Sequence, residues 1–159
     1  MKRIVMMTLF LPSMLMNSTE LNDILPIYET ECIDTVEQIQ PLLEKDLINA
    51  LIYVESRGND SAVGDIHLGE PSVGVLQIRP VMVREVNRIL KKMGSTQRYK
   101  LKDRFDRQSS IEMFLFWKNY HHPEGGFEEI ARCWNGGPRG LKNKRTEKYW
   151  AKVQNQLDI

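Results

Sequence analysis

The sequence predicts a mostly α-helical single domain with one irregular or short β segment around residues 59–78. Apolar residues recur at helical spacing in five successive stretches, and Gly, Pro or a capping residue bounds most of these stretches. A length of 159 residues allows one domain of ordinary size. The content of 42% hydrophobic and 27% charged residues is that of a globular protein rather than a disordered or fibrous one.

Two helices are predicted on either side of the irregular segment. The first begins at Pro41 and ends at Gly58, and its apolar side consists of Leu43, Leu47, Leu51 and Val54. The second begins at Pro80 and ends at Gly94, and its apolar side consists of Val83, Val86, Leu90 and Met93. Between them we predict a loop over residues 59–72 and a short extended piece over residues 73–78.

Three further helices are predicted after a basic loop. The third is capped by Asp106, runs to about Tyr120 and is apolar nearly all round, which is typical of a buried helix. The fourth ends at Gly136-Gly137-Pro138, and its apolar stripe consists of Phe127, Ile130, Ala131 and Trp134. The fifth is capped by Thr146, and its inward side consists of Trp150, Val153 and Leu157.

The first residues have the pattern of a secretory signal peptide. Lys2 and Arg3 precede the uncharged stretch from Ile4 to Met16, and small polar residues follow it. Because Pro12 interrupts the apolar stretch, an N-terminal core helix is the alternative. We therefore predict a signal peptide at residues 1–19, an N-terminal acidic segment at residues 20–40 and the folded domain at residues 41–159.

Charge and cysteine content exclude several classes of function. The 22 Lys and Arg nearly balance the 21 Asp and Glu, so no nucleic-acid partner is expected. Two cysteines exclude a disulfide-dense scaffold and an all-cysteine zinc site, and leave open whether Cys32 and Cys133 pair. Residues 132–159 nevertheless carry seven bases and two acids, which indicates either a solvated face or attraction to an anionic polymer.

Glu55 is the residue whose position is hardest to reconcile with a surface role. On a helical wheel it lies about 20° from Ile48 and about 40° from Leu51, within the apolar stripe of the first helix. Partial desolvation and the negative end of the helix dipole should both raise the pKa of its carboxyl. A Glu that keeps its proton near neutral pH suits a general acid. The alternative is a Glu55 that reaches solvent or pairs with Arg57.

Short motifs follow Glu55 in a recognisable order. Glu55-Ser56 is followed by Gly74-Val75-Leu76-Gln77, then by a stretch from Ala131 to Pro138 that contains Trp134-Asn135-Gly136-Gly137, and then by Tyr149-Trp150. In this order and at these distances, residues 43–157 resemble the soluble lytic transglycosylase family of the lysozyme superfamily. That family has Glu-Ser, Gly-Leu-Met-Gln, Ala-Tyr-Asn-Ala-Gly-Pro and Tyr-Val at these places. Trp134 replaces the usual Tyr, Gly136 replaces Ala, and the loop at residues 65–72 is longer than usual.

The resemblance implies a lysozyme-like fold and a peptidoglycan lytic transglycosylase, which cleaves the MurNAc-GlcNAc β-1,4 bond and forms 1,6-anhydro-MurNAc. It implies Glu55 as the single catalytic acid/base, and a substrate-binding set of Ser56, Gln77, Trp134, Asn135 and Tyr149. We expect no cofactor and, since the histidines lack a ligand spacing, no metal. The expected protein is an exported monomer in the periplasm or cell envelope of a bacterium. Its expected partner is the glycan strand of peptidoglycan, with envelope, secretion or conjugation machinery as a candidate partner.

Three alternatives stay open. A hydrolytic muramidase would use Glu55 with a second carboxylate, for which the candidates are Asp60, Asp65 and Glu70. A cysteine hydrolase would use Cys133 together with His121 or His122. An inactive envelope assembly module would keep the fold without turnover.

Overall fold

The computed structural model describes residues 44–157. The predictions for the signal peptide, the acidic segment, the helix start at Pro41 and the pairing of Cys32 lie outside these residues. Among the described residues, no helix is both long enough and apolar enough to cross a membrane.

Five α-helices and one small hairpin form the part of the domain within residues 44–157. Helix α1 covers residues 44–56, and strands β1 (Val63–Gly64) and β2 (Ser72–Val73) pair antiparallel, with Val63 opposite Val73. The remaining elements are α2 (Pro80–Lys92), a 3₁₀ helix (Leu101–Phe105), α3 (Arg107–His121), α4 (Phe127–Gly136), a second 3₁₀ helix (Gly137–Lys142) and α5 (Arg145–Gln154). The structure therefore confirms a mostly α fold with a short β segment within residues 59–78.

The apolar sides of the helices meet in one core. Helix α3 crosses its centre, where Met113 and Phe114 are fully buried and Trp117 is nearly so. The core side chains of the other elements include Leu47, Leu51, Val75, Leu76, Val86, Leu90, Ile130, Ala131 and Val153. Each large apolar side chain buried in this way contributes about 1.5–3 kcal/mol relative to exposure. This packing holds the end of α1, the hairpin and α4 in fixed relative positions.

Most predicted helix ends are confirmed. Helix α1 ends before Gly58, α2 begins at Pro80 and ends before Gly94, and α4 ends at Gly136. Helix α3 is capped by Asp106, whose Oδ1 accepts a hydrogen bond of 2.8 Å from the backbone N–H of Ser109. That bond satisfies one of the N–H groups that the first turn of a helix leaves without a partner.

Two predictions about α2 and the segment before it are wrong. Met93 does not continue the apolar side of α2 and is 63% exposed, because the helix has already ended at Lys92. Residues 73–78 do not form a continuous extended piece. After Ser72–Val73 the chain turns tightly through residues 74–77, and backbone hydrogen bonds between Val73 and Ile78 close the turn.

The predicted cap of α5 is also wrong. Thr146 lies inside the first turn and is fully buried. Its hydroxyl lies 2.7 Å from the carbonyl oxygen of Gly140 and accepts a hydrogen bond from Nε of Arg132. Asn143 serves the helix start instead, because its Oδ1 accepts a hydrogen bond of 3.0 Å from the backbone N–H of Arg145. The Thr146 hydroxyl thus hydrogen-bonds Arg132 and Gly140, whereas the local sequence pattern predicts a bond to the first turn of α5.

Candidate active site

A cleft of about 1170 Å³ opens on the domain, and Glu55 lies on its wall. The hairpin region, α2, the end of α3 and the end of α4 supply the other lining residues. They include Asp65, Gln77, Glu85, Trp117, His121, His122, Trp134 and Asn135. A volume above that of a drug-sized pocket suits an extended ligand rather than a small one.

Glu55 stands in the last turn of α1 and is half-buried. It does not pair with Arg57, whose guanidinium donates to the hydroxyl of Tyr53. Burial raises the pKa of the Glu55 carboxyl from an ordinary 4.5 to about 7. The nearby negative charge of Asp65 also raises this pKa, whereas the charge of Lys152 lowers it. Glu55 can therefore hold a proton at neutral pH and release it without a large penalty.

Tyr149 orients the carboxyl of Glu55. Its hydroxyl donates a hydrogen bond of 2.7 Å to Oε1 of Glu55, across 94 positions of sequence. This bond stabilises the charged carboxylate and so lowers the pKa that burial raises. Burial and the neighbouring carboxyl raise the pKa of Tyr149 itself, so the phenol keeps its proton to donate. Tyr149 contacts Glu55 without belonging to the lining of the cleft.

Ser56 and Gln77 stabilise the turn beside Glu55. The hydroxyl of Ser56 lies 2.9 Å from the carbonyl oxygen of Val75, so it ties the end of α1 to the turn and does not line the cleft. Gln77 does line the cleft, and its side-chain amide donates to the carbonyl oxygens of Gly74 and Ala62. Of these two predicted substrate-binding residues, the structure brings only Gln77 to the cleft wall.

Trp134 and Asn135 enter the cleft from the end of α4. The Trp134 ring is half-buried and packs edge-on against Phe114 and Trp117, with centroid distances of 5.1 Å to each. Asn135 is exposed, and its side chain makes no hydrogen bond to another described residue. It does not cap α4, since the helix continues to Gly136. The amide of Asn135 is thus available to a ligand.

The three candidate second carboxylates have different environments. Asp60 pairs with Arg107 at 3.1 Å, and Glu70 forms two hydrogen bonds with the guanidinium of Arg84. Neither residue lines the cleft. Asp65 lines it, accepts a hydrogen bond from the hydroxyl of Ser72, forms no ion pair with another described residue, and acts electrostatically on Glu55. Of these three candidates, only Asp65 is placed to act with Glu55 in the cleft.

Cys133 and the two histidines do not form a nucleophile–base pair. Cys133 is 4% exposed and belongs to the core, which is typical of a free cysteine. The rings of His121 and His122 bind Glu85 and Glu129 respectively, each at 2.7 Å. Within residues 44–157, no three His, Cys, Asp or Glu side chains gather where a metal ion could bind.

A family model described as "Transglycosylase SLT domain" matches residues 32–157. The chain belongs to this family. Over 44 residues it is also 46% identical to Lysozyme 1 of Crassostrea virginica. That stretch is 26% of this chain and 24% of the relative, so the match spans about a quarter of the relative's length.

Two solved structures have the same fold as this SLT domain. One is a chain in the crystal structure of Aeromonas hydrophila PliI in complex with Meretrix lusoria lysozyme, and the other is inhibitor-bound lysozyme from Meretrix lusoria. Each superposes with a TM-score of 0.57 and 20% identity, and the match covers 70% of this chain and 88% of the other. The predicted lysozyme-like architecture is thereby confirmed.

In the SLT domain, the sequence did not single out the cleft residue Glu85 or its contact with His121. Glu85 on α2 and His121 on α3 meet across 36 positions of sequence and line the cleft together. Neither belongs to a local motif, and only the packing of α2 on α3 brings them together. The sequence also does not distinguish Lys152 from the other bases of the last helix. In the structure its charge acts on Glu55 and lowers the pKa of that carboxyl.

Proposed function

We propose that this SLT domain is a peptidoglycan lytic transglycosylase that uses Glu55 as its single acid/base. Membership of the family and the lysozyme-like fold support an enzyme that acts on peptidoglycan. The observation that carries the proposal is a carboxyl in the cleft whose pKa is raised to about 7. Such a group is poised to give up a proton and to take one back near neutral pH. We further propose export, on the pattern of residues 1–19 alone.

The proposed reaction needs one proton to leave Glu55 and one to return. Glu55 donates its proton to the glycosidic oxygen while the bond between that oxygen and C1 of MurNAc breaks. The resulting carboxylate accepts a hydrogen bond from the Tyr149 hydroxyl. It then takes the proton of the 6-hydroxyl of MurNAc while the oxygen of that hydroxyl bonds to C1. The products are a released sugar hydroxyl and a 1,6-anhydro ring, and Glu55 is protonated again. No water is consumed.

A hydrolytic muramidase is the second candidate, and Asp65 is the observation that favours it. In that reaction Glu55 protonates the leaving oxygen, and Asp65 either deprotonates an attacking water or acts as the nucleophile. The two carboxyls line one cleft, and the charge of Asp65 adds to the effect of burial in raising the pKa of Glu55. Two carboxyls that face one cleft are the arrangement that hydrolytic glycosidases use.

The products of purified sacculi should distinguish the two reactions. We expect every new MurNAc end to be 1,6-anhydro-MurNAc, which is lighter by one water than reducing MurNAc in mass spectrometry. Asp65→Asn should then keep substantial activity. Reducing ends, together with a loss of about 10²-fold or more in Asp65→Asn, would instead establish the muramidase.

The rate should depend on pH through Glu55. Because the reaction begins with the protonated acid, kcat/KM should fall as pH rises through about 7. Tyr149→Phe removes the hydrogen bond that favours the charged carboxylate, so it should raise the pKa of Glu55 and shift the fall in kcat/KM to higher pH. A pH–rate profile of both proteins tests this. If the fall in kcat/KM occurs at the same pH in both, it does not report the titration of Glu55.

Asn135→Ala should lower turnover at least tenfold, about 1.4 kcal/mol of transition-state binding, and leave Tm nearly unchanged. The reason is that the Asn135 amide lies exposed in the cleft and supports no described hydrogen bond. Asp106→Ala is the matched stability control, since it removes the acceptor at the start of α3, lies outside the cleft lining and should lower Tm. A lowered Tm with normal turnover in Asn135→Ala would remove Asn135 from the site.

A further inference from the structure

The proposed function leaves one feature of the domain unused, which is the basic charge near its C-terminal end. Residues 139–152 carry six bases and a single acid, Glu147. Glu147 faces an internal cation, since its carboxylate lies 3.6 Å from the guanidinium of Arg132. The six bases are all exposed, and none forms an ion pair with another described residue. They are Arg139, Lys142, Lys144, Arg145, Lys148 and Lys152.

Three of these bases share one side of α5, which we call the basic stripe: Arg145, Lys148 and Lys152. At about 100° per residue they fall within an arc of about 60°. Tyr149, the residue that holds Glu55, borders this arc on the same helix. The charge of Lys152 acts on the Glu55 carboxyl. The stripe therefore runs beside the catalytic end of the cleft rather than on a remote face.

The segment before α5 connects the stripe to the cleft wall. Gly137, Pro138 and Asn143 line the cleft, and Asn143 accepts a hydrogen bond from the backbone N–H of Arg145 at the start of the helix on which the stripe lies. The known acids of the cleft are Glu55, Asp65 and Glu85, which lie on α1, the hairpin and α2. The acids of the cleft thus come from one part of the domain, and the unpaired cations of α5 lie outside the cleft lining, on the helix that carries Tyr149. A ligand that extends out of the cleft past α5 would meet these cations.

We propose that the basic stripe binds the carboxylates of the stem peptides on peptidoglycan, so that the enzyme prefers peptide-bearing strands. This inference rests on the proposed function. The glycan backbone itself offers neutral hydroxyl and acetamido groups, which gain nothing from exposed cations. Stem peptides attach beside the sugar ring through the lactyl group of MurNAc and carry several carboxylates. Exposed Lys and Arg attract such anions over a Debye length of about 8 Å at physiological salt, so the attraction weakens as salt rises.

The test uses sacculi stripped of phosphodiester polymers with hydrofluoric acid, and the same sacculi after carbodiimide coupling converts their carboxyls to neutral amides. The variant Arg145→Glu/Lys148→Glu reverses two charges of the stripe and leaves Lys152, which acts on Glu55, unchanged. The matched control Lys91→Glu/Lys102→Glu makes the same change at exposed bases on α2 and the first 3₁₀ helix, outside the stripe on α5. We expect kcat/KM of the stripe variant on stripped sacculi to fall at least about fivefold at low ionic strength and to recover at high salt. On amidated sacculi, and in the control variant, we expect no change.

Three results would overturn the proposal. One is an equal loss on native and amidated sacculi, and another is no loss on either. A third is a loss confined to sacculi that still carry phosphodiester polymers, which would identify those polymers as the ligand. Failure of the proposed function is separable, because it would appear as no turnover of any sacculus by the wild type. Cosedimentation of Glu55→Gln with sacculi, with and without the two stripe substitutions, would still measure binding.

Discussion

Glu55→Gln should lower the rate of wall cleavage by about 10²–10⁴-fold while the domain stays folded. Gln is nearly the same size as Glu, and its side-chain oxygen can still accept the hydrogen bond from the Tyr149 hydroxyl. What the variant lacks is a proton to donate. The measurement is turbidity loss of a sacculus suspension, with circular dichroism as the check on the fold.

The same substitution should stabilise the domain in a pH-dependent way. The pKa of Glu55 is raised to about 7 in the fold from an ordinary 4.5, so folding favours its protonated form. Below about pH 4.5 both states are protonated and burial of Glu55 costs nothing through ionisation. As pH rises to about 7, Glu55 loses its proton in the unfolded chain before it does so in the folded one, and the free energy of unfolding of the wild type falls by up to about 3 kcal/mol. Glu55→Gln has no carboxyl to titrate, so its stability does not fall in this way.

Unfolding of both proteins at pH 4 and pH 8 measures the effect. We expect a higher stability of Glu55→Gln relative to the wild type at pH 8 than at pH 4. An inactive variant that is also more stable at pH 8 would show that the fold sacrifices stability to hold this acid. Near-normal lysis by Glu55→Gln would instead remove Glu55 from its catalytic role, whatever the stability result.

Features set by a few neighbouring residues could be predicted from the sequence. Pro80, Gly94 and Asp106 marked helix ends correctly because each acts within one turn of its own chain. Glu55 stood out because its helix alone determines that a carboxyl falls in the apolar stripe. In both cases the physical cause lies within a few positions of the residue itself.

Features set by distant partners could not be predicted. Asp60, Asp65 and Glu70 were equivalent as carboxylates in a loop, and only Arg107 and Arg84 distinguish them by pairing with the first and the last. Those arginines lie 47 and 14 positions away, with no pattern that links them to the loop. Thr146 had the identity of a cap, yet a buried contact with Arg132 determined its role.

The hairpin turn also depends on such a distant partner. Arg104 belongs to a stretch that we predicted as a basic loop, yet it is buried. Its guanidinium donates to the carbonyl oxygens of Pro71 and Ile78, which flank β2 and the turn after it. The backbone of Arg104 lies against Gly74 in the same place. The turn that carries Gln77 into the cleft is therefore shaped by residues about thirty positions later.

Gly74→Ala should therefore unfold or strongly destabilise the domain, by about 3–5 kcal/mol. Gly74 is buried with φ at 77°, a region that residues with a Cβ rarely adopt. A Cβ there would lie 1.9 Å from the carbonyl oxygen of Arg104, and this neighbour is backbone that no rotamer change can move. Its N–H also donates to Ala62 and its carbonyl accepts from Gln77, so relief of the clash would disrupt the turn.

Gly94→Ala is the matched control for that substitution. Its φ of 74° is almost the same, yet no atom lies within 4 Å of where its Cβ would be. It should therefore cost only the strain of a left-handed alanine, about 1–2 kcal/mol. Denaturant unfolding of both variants separates strain from collision, because only Gly74→Ala suffers both. Equal losses would mean that the turn can move away from Arg104. A larger loss at Gly74 would show that this close backbone approach fixes the cleft wall beside Glu55.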